Sequence, residues 1–212
     1  VKLGKNFANI SLLPNDIIVA GSACTDKKLS EFALDNRIGG LEFLACIPGT
    51  VGGGLKMNEG CFDMEFKDIL ISIQAIDREG RVLTIPADTV LFKYRNNNLS
   101  DNLIFLSASF KGKKKNQNEI EKEILELKNR KDSTQPTKIK TSGSTFKNPI
   151  EQTNRKVWEL IKESVPLDTS FGDACISSKH HNFFVNKNNA SFNDMIKLIE
   201  FVQKSVEKKT GI

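Results

Sequence analysis

The stretch IPGTVGGGLKMN, at positions 47–58, gathers bare backbone in one place: a Pro-Gly turn precedes three consecutive glycines and an asparagine. Glycine adopts positive φ at little cost and lets a ligand approach the main chain closely. Consecutive peptide N–H groups without side chains between them suit phosphate oxygens or the polar edge of a flat heterocycle. A tight turn with close packing would explain the same residues equally well. The pattern therefore predicts either a ligand cradle or a packing turn.

Two common nucleotide-binding motifs do not fit this stretch. The glycines are not followed by the Gly-Lys-Ser/Thr that ends a phosphate-binding P-loop, and no G-x-G-x-x-G follows a predicted strand. ATP hydrolysis and a Rossmann dinucleotide site are therefore disfavoured.

Metal and disulfide chemistry find no support in the cysteines and histidines. The two histidines, His180 and His181, are adjacent in sequence, and no histidine stands at ligand spacing from a cysteine. The cysteines lie far apart without a C-x-x-C pair, at Cys24, Cys46, Cys61 and Cys175. We predict no metal site and no disulfide framework, which favours a reducing cytoplasm as the location.

The composition is that of a globular chain with one large domain or two small ones. Of 212 residues, 39% are hydrophobic and 27% charged, with a formal net charge of +5. The run KGKKK at 111–115 predicts a solvated loop, because no aromatic residues alternate with the basic ones as in nucleic-acid sites. No apolar run reaches membrane-spanning length. We therefore expect neither a nucleic-acid nor a membrane partner.

The elements that must position the glycine stretch are mixed strands and helices. Residues 15–23 predict a buried strand, and Thr25 is a candidate cap for a helix that ends at Gly39-Gly40. Residues 69–76 and 81–86, joined by the turn DREG, predict a β-hairpin, and 102–110 predict another strand. The order lacks the regular βαβα alternation of a doubly wound sheet, so we predict an α+β fold.

The character of the chain changes after residue 110. A helix capped by Asn118 is predicted, and the polar segment KDSTQP at 131–136 should break it. An amphipathic helix around Trp158, a strand at 182–186 and a last helix opening with Ser191-x-x-Asp194 are predicted next. We place the domain boundary in the helix-and-linker segment, which gives domains at 1–116 and 137–212 joined by 117–136.

Four ordered segments resemble one enzyme family. GLEFLACIPGTVGGGLKMNEGCF resembles the flavin-binding signature of UDP-N-acetylenolpyruvoylglucosamine reductases, and FKYRNNNL resembles their F-x-YR segment. TQP followed by SGSTFKNP, and GDACISSKHHNFFVN, resemble two further family segments in the same order. The short spacing between the YR pair and the serine segment is similar to the type II branch of the family.

The resemblance implies a vanillyl-alcohol-oxidase-like FAD-binding domain, followed by a small α+β substrate domain. It implies that NADPH and FAD are the cofactors, that a UDP-sugar of peptidoglycan synthesis is the substrate, and that the enzyme is a monomer. FAD would then lie along a set of mostly backbone positions: Ile47, Pro48, Gly49, Thr50, Val51, Gly52, Gly53, Asn58 and Gly60.

The resemblance also implies catalytic roles. In the family, reduced flavin passes hydride to an enolpyruvyl group, and the carboxylate-stabilised carbanion that forms must be protonated. Arg95 matches the cation beside the carboxylate, which a guanidinium binds through two oxygens. Ser144 matches the proton donor, whereas Tyr94, Lys147 and Asn148 match substrate contacts. The two histidines match no catalytic position. Because Arg95 and Ser144 match groups that act on the same substrate, we expect them to converge on one pocket.

The sequence departs from the family pattern in several places. No G-x-GSN-type phosphate loop precedes Val1, and the sequence stops at Ile212, short of a glutamate that assists protonation in the family. Asn97 replaces the usual serine after the YR pair. These departures are expected either of a fragment of a longer reductase or of a degenerate relative, and the joint presence of Arg95, Ser144 and the glycine stretch favours the fragment. The alternatives are a degenerate relative that binds a UDP-sugar or nucleotide without catalysis, and a flavin oxidase, against which the serine segment argues.

Overall fold

The computed structural model describes residues 2–136 and 139–212 and divides into two compact units. Unit 1 is Val1–Asn129 and unit 2 is Arg130–Ile212. The division falls inside a long helix, Gln117–Thr134. Each unit has its own hydrophobic core.

Unit 1 is built on an antiparallel sheet. Its central strands carry the side chains of the core, among them Ile18, Ile73 and Phe110, none of which is exposed to solvent. The strands are, in chain order, β1 (Ile10–Leu13), β2 (Ile17–Gly21), β3 (Ile38–Gly39), β4 (Gly60–Cys61), β5 (Met64–Glu65), β6 (Leu70–Ile76), β7 (Val82–Pro86), β8 (Ile104–Lys111) and β9 (Lys113–Lys114). Within the described residues the main sheet has the order β1-β2-β8-β6-β7, and the other strands form the short pairs β3-β9 and β4-β5.

Two hairpins of this sheet differ in how well the sequence predicted them. The DREG turn joins β6 to β7 as expected, with Ile76 opposite Val82. The first predicted strand is shorter than expected, because Asn15 and Asp16 adopt positive φ and turn the chain back onto β1. Asn and Asp tolerate this left-handed conformation better than most residues, and that signal was missed.

Helix α2 (Val51–Met57) packs against the inner strands β2 and β8 of the sheet, and the helices begin and end by recognisable devices. They are α1 (Asp26–Asp35), α2 (Val51–Met57), α3 (Phe66–Ile69) and α4 (Gln117–Thr134), with 3-10 turns at Lys5–Phe7, Glu42–Cys46 and Ala87–Thr89. Thr25 Oγ1 accepts the Lys28 N–H at 3.3 Å, as expected for the cap of α1. The expected helix end at Gly39-Gly40 was wrong, because Asn36 already ends α1 and Gly39 belongs to β3.

The glycine stretch is not a bare loop, because its three glycines form the first turns of α2. This helix ends at Asn58, whose φ of 40° is left-handed. The Glu59 N–H closes the end by donating to Gly54 O at 2.9 Å, the 6→1 hydrogen bond of a Schellman motif. The chain therefore enters and leaves α2 along directions set by hydrogen bonds.

Packing explains some of these glycines and not others. A Cβ on Gly54 would lie 2.3 Å from two ring atoms of buried Phe66, and a Cβ on Gly52 would lie 3.1 Å from Ser22 Cβ. A Cβ on Gly53 would meet no atom closer than Thr50 Oγ1 at 3.7 Å. Packing therefore requires Gly54 and constrains Gly52, whereas Gly53 is exposed and its lack of a side chain has no packing reason.

The segment before α2 is hydrogen-bonded to the start of α1. The Asp26 N–H donates to Gly49 O at 3.3 Å, and the Val51 N–H donates to Cys24 O at 2.9 Å. Asp26 is fully buried, and neither of its carboxyl oxygens has a hydrogen-bond partner among the described residues. Burial raises the pKa of this carboxyl from 3.8 to about 7, and the charge of Glu59 adds to the rise.

Unit 2 is a small antiparallel sheet covered by two helices. The sheet has the order β10-β13-β12-β11 among the described residues, and its core includes Leu160, Phe184 and Leu198. The elements are β10 (Lys140–Ser144), α5 (Val157–Ser164), β11 (Ser170–Phe171), β12 (Ala174–Ile176), β13 (Phe183–Asn186) and α6 (Phe192–Thr210). The predicted capping box of α6 is present, since Ser191 Oγ accepts the Asp194 N–H at 3.1 Å.

The predictions around α4 were partly wrong. Asn116 caps this helix in place of Asn118, because its side-chain oxygen accepts the Asn118 N–H at 2.9 Å. The segment KDSTQP does not break the helix at its first residue, since α4 continues to Thr134. Two of the four lysines in the run KGKKK form ion pairs, Lys114 with Asp16 and Lys115 with Glu42 and Glu123.

None of the helices in residues 2–136 and 139–212 combines the length and the apolar character that crossing a bilayer requires.

Replacing Gly54 by alanine should destabilise the protein, because the new methyl group would overlap the ring of Phe66. We expect the free energy of unfolding to fall by about 1 to 3 kcal/mol, the usual cost of overpacking a core. Denaturant-induced unfolding, followed by circular dichroism, measures this change. Gly53→Ala, at the preceding position of the same helix, should not lower the free energy of unfolding. Equal losses in the two variants would contradict the packing assignment.

The buried carboxyl of Asp26 should make stability depend on pH. Its pKa is raised on folding, so the folded state binds the proton more tightly than the unfolded chain. Its stabilising contribution is therefore full below about pH 4 and is lost as the pH rises through about 7. The loss is at most about 4 kcal/mol.

The test compares urea denaturation at pH 4 to 8 for the wild type and Asp26→Asn. We expect the variant to be more stable than the wild type at pH 8 and to show a flatter pH profile. Asp35→Asn, at the exposed far end of the same helix, is the matched control and should follow the wild type. Parallel profiles for wild type and Asp26→Asn would contradict the assignment.

Candidate functional site

A cleft of about 510 Å³ opens beside the N-terminal half of α2. Thr50, Gly52 and Gly53 form one wall, and the basic side chains of Lys56 and Arg78 stand at the cleft. The remaining wall is made by residues from the chain start, the end of β2 and the start of β8, namely Lys2, Leu3, Ser22, Ala23, Asp101, Leu103, Ile104 and Phe105. The cleft therefore combines exposed main chain with positive charge.

Ser22 marks this cleft as a place for a polar ligand. The residue is 5% exposed, and its Oγ has no hydrogen-bond partner in the part of the chain that the structure describes. Buried hydroxyl groups are nearly always hydrogen-bonded, so an orphaned one in a cleft wall calls for a partner. The Gly52 N–H is already used by Ser22 O at 3.0 Å. The oxygen-rich chain of a dinucleotide such as FAD fits the orphaned hydroxyl, the side-chain-free Gly53 and the two cations.

The predicted flavin residues divide into three groups in the structure. Thr50, Gly52 and Gly53 line the cleft. The side chains of Ile47 and Val51 point into the core of unit 1, so these residues can meet a ligand through main-chain atoms. The others, which do not line the cleft, are exposed Pro48, half-buried Gly49 and Gly60, and fully buried Asn58. The assignment of the whole set to FAD stays a prediction.

Arg95 occupies a strained position in a tight turn. The Lys93 N–H donates to Asn96 O at 2.8 Å, and the Asn96 N–H donates back to Lys93 O at 3.1 Å. The turn gives Arg95 a φ of 55°, which is uncommon for a residue with a long side chain. Such outliers concentrate at functional sites.

The Arg95 guanidinium is held by carbonyl groups. Its Nη1 donates to Asn58 O at 3.3 Å and its Nη2 donates to Gly60 O at 3.4 Å, while Cζ lies 5.3 Å from the Tyr94 ring centroid. Among the described residues, no carboxylate forms an ion pair with it. No carboxylate there offsets the charge of the guanidinium, which could therefore bind an anion. Arg95 borders a cavity of about 440 Å³.

Ser144 lies in unit 2, at the end of β10, where a β-bulge reorients the strand. The register with β13 shifts between Thr141 and Ser144, and Gly143 has a φ of 89°. Bulges of this kind redirect side chains beside active sites. Asn182 holds the segment that follows, since its Oδ1 accepts the Phe146 N–H at 3.0 Å. The result is an exposed serine on a rigid edge.

The predicted substrate contacts have different surroundings. Lys147 is exposed, and Tyr94 is half-buried under the Arg95 guanidinium. Asn148 Oδ1 accepts the Val157 N–H at 3.0 Å, so this side chain caps the first turn of α5. Tyr94 lies in unit 1 and the other two in unit 2. Their roles, and the convergence of Arg95 with Ser144, stay predictions.

The two histidines are partly buried, and His180 contacts neighbouring residues. His180 Nδ1 accepts the Asn182 N–H at 3.2 Å, and its ring packs edge-on against Phe183 with centroids 4.7 Å apart. Burial lowers the pKa of His180, and the charge of His181 lowers it further. Burial also lowers the pKa of His181. The expectation that neither histidine is catalytic stays a prediction.

Sequence reasoning missed two residues of this region, Ser22 and Asp26. Both follow β2, where the small residues of GSA precede the cap of α1. Small residues at a strand-to-helix turn allow close backbone approach, and this signal could have identified the cleft wall. The burial of the Asp26 side chain has no comparable signal in the sequence.

Two family models match the chain. The model for the C-terminal domain of UDP-N-acetylenolpyruvoylglucosamine reductase matches residues 135–212. The model for an FAD binding domain matches residues 1–86. These matches confirm the predicted order of a flavin-binding part followed by the small α+β domain.

Curated relatives and a solved structure agree with the family models. The UDP-N-acetylenolpyruvoylglucosamine reductase of Pelagibacter ubique is 76% identical over the whole chain, which spans 70% of that relative. The Rickettsia conorii enzyme of the same name is 44% identical, with the same coverage of both chains. The crystal structure of UDP-N-acetylenolpyruvylglucosamine reductase from Thermus caldophilus superposes with a TM-score of 0.83 at 30% identity, covering 96% of this chain and 73% of that one. The chain belongs to the UDP-N-acetylenolpyruvoylglucosamine reductase family.

Proposed function

We propose that the protein reduces UDP-N-acetylglucosamine enolpyruvate to UDP-N-acetylmuramate in peptidoglycan precursor synthesis, with FAD as cofactor and NADPH as reductant. Family membership supports the reaction, and the observation that carries it is Arg95. This cation is held in a left-handed turn, without a carboxylate partner among the described residues, beside a cavity. The site therefore offers an anion such as the enolpyruvyl carboxylate an unneutralised guanidinium.

We infer that FAD occupies the cleft beside α2 and, when bound, supplies two-electron hydride chemistry that no amino-acid side chain provides. Ser22 and the main chain from Thr50 to Gly53 would hold its polar groups, with Arg78 opposite its negative charge. Lys56, in the same cleft, forms an ion pair with Asp101. Ile47 and Val51 would shape the cradle from behind, whereas Asn58 does not line the cleft.

Arg95 is proposed to bind the substrate carboxylate. The enolpyruvyl double bond accepts a hydride at its methylene carbon, and negative charge then builds on the neighbouring carbon and its carboxylate. A guanidinium that contacts both carboxylate oxygens stabilises this charge more in the transition state than in the substrate. The carbonyls of Asn58 and Gly60 orient the group without neutralising it.

Ser144 is proposed to donate the proton that completes the reduction. The carbanion carbon takes the hydroxyl proton, and the Ser144 oxygen regains a proton from solvent, to which it is exposed. The bulge before Ser144 and the Asn182 hydrogen bonds after it hold the backbone that carries the hydroxyl. Exposure to solvent and a fixed backbone both suit a general acid that must protonate one face of a planar carbon.

Tyr94, Lys147 and Asn148 are proposed substrate contacts, with Asn148 as the contact to the diphosphate. We assign flavin binding to residues 1–116 and substrate binding to 137–212, with 117–136 as the connecting segment.

We propose a cytoplasmic location, because UDP-sugars and NADPH are intracellular metabolites. We also propose that the protein is a monomer. Sedimentation analysis of the purified protein measures the oligomeric state.

Replacing Ser144 by alanine should separate flavin reduction from turnover. In the product of the complete gene, NADPH should still bleach the flavin absorbance of Ser144→Ala, because the serine acts after that step. Turnover of the enolpyruvyl substrate should fall about 100- to 10,000-fold, the usual contribution of a general acid. Stopped-flow absorbance and a product assay measure the two steps.

Ser142→Ala is the matched control, since Ser142 lies in the same bulge and is also exposed. This variant should turn over like the wild type. Equal losses in the two variants, or full activity of Ser144→Ala, would refute the role of Ser144. A colourless wild type that binds UDP-sugar by calorimetry would instead support a non-catalytic binding protein.

Gly53→Ala should weaken flavin binding without unfolding the protein. The added methyl group has space in the fold but would occupy the cleft, so we expect flavin affinity to fall at least about tenfold. Flavin absorbance after gel filtration and the thermal unfolding midpoint measure the two properties. Retention of full flavin content would contradict the placement of FAD beside Gly53.

A further inference from the structure

The turn that carries Arg95 is joined to the end of α2 by several side chains, and Asn58 is the one among them that also contacts the Arg95 guanidinium. Asn58 is fully buried, and its amide nitrogen donates to Lys93 O at 3.3 Å and to Glu65 Oε2 at 3.0 Å. Its amide oxygen accepts the Lys67 N–H at 3.1 Å. These protein contacts use the donors and an acceptor of the amide. The side chain therefore joins the Arg95 turn to the segment from β5 to α3.

The main chain of Asn58 contacts Arg95 from the other side. Left-handed backbone at Asn58 directs its carbonyl oxygen to Arg95 Nη1, and the carbonyl of Gly60, two residues later, accepts from Nη2. The amide of Asn58 thus holds the backbone of the turn, while its carbonyl holds the guanidinium. Asn58 therefore contacts the Arg95 segment both at the backbone of the turn and at the guanidinium.

We propose that Asn58 is a positioning residue for Arg95, setting the direction of the guanidinium toward the substrate carboxylate. The proposal rests on the proposed function of Arg95 and assigns Asn58 a task different from flavin contact. A guanidinium free to swing would still bind an anion, but it would lose the orientation needed as charge develops. Misplacement by about 1 Å is enough to reduce a rate about a hundredfold.

The decisive experiment is a double-mutant cycle in the product of the complete gene. Asn58→Gly removes the amide while keeping a residue that accepts positive φ without strain. Asn58→Asp keeps the shape but places an oxygen against Glu65 and the Lys93 carbonyl, and serves as the second variant if the first does not fold. Each is combined with Arg95→Ala, and kcat, KM, flavin content and NADPH-dependent bleaching are measured.

We expect Asn58→Gly to keep its flavin and its bleaching rate, while kcat/KM for the enolpyruvyl substrate falls at least about tenfold, mainly through kcat. In the Arg95→Ala background the same change should cost less than about threefold, because the group that Asn58 directs is gone. Asn15→Gly, a second exchange at a left-handed asparagine, in the exposed β1-β2 turn, should behave like the wild type.

Three results would overturn the proposal, and each points to a different explanation. Loss of flavin from Asn58→Gly would make Asn58 a cofactor residue. Additive losses in the double variant would show that Asn58 acts independently of Arg95. Full activity of Arg95→Ala would refute the proposed function of Arg95 itself, together with the role of Asn58.

Discussion

The short helix α2 constrains most of what surrounds the site in unit 1. Its first turn carries the glycines that form a wall of the cleft, and its last turn carries the groups that hold the Arg95 loop. Besides Asn58, the Leu55 carbonyl accepts from Asn97 Nδ2 at 3.0 Å, and Lys56 Nζ lies 2.5 Å from Asp101 Oδ1. The cleft wall and the arginine turn are therefore joined through one helix of seven residues.

Close packing of α2 supports this connection and also limits the sequence of the helix. Gly54 brings the helix against the ring of Phe66, which packs edge-on against Phe110 of β8 with centroids 5.8 Å apart. Interiors this dense transmit small displacements without absorbing them. Unfavourable backbone conformations lie at the other end of the helix, where Asn58, Arg95 and Asn98 all have positive φ. The tightly packed helix holds these strained residues in place.

The sequence predicted local elements best where short-range chemistry decides them. The Ser191–Asp194 capping box and the Thr25 cap are both present, since a cap needs residues only three positions apart. The family motifs led to the correct flavin-binding and C-terminal domains. Errors arose where several residues of similar type compete, as with Asn116 and Asn118 at the start of α4. Either asparagine is an acceptable cap by residue type, so the local pattern does not distinguish them.

For the candidate site, the sequence by itself determined the family and the residue types that can do its chemistry, because these are carried by motifs of adjacent residues. Tertiary structure decided which glycine serves which purpose. Whether a Cβ fits at 52, 53 or 54 depends on Ser22 and Phe66, which are distant in the chain. It also decided that the Asn58 amide is used inside the protein and that the Asp26 carboxyl is buried without a partner among the described residues. Such contacts come from long-range packing, which no local pattern records.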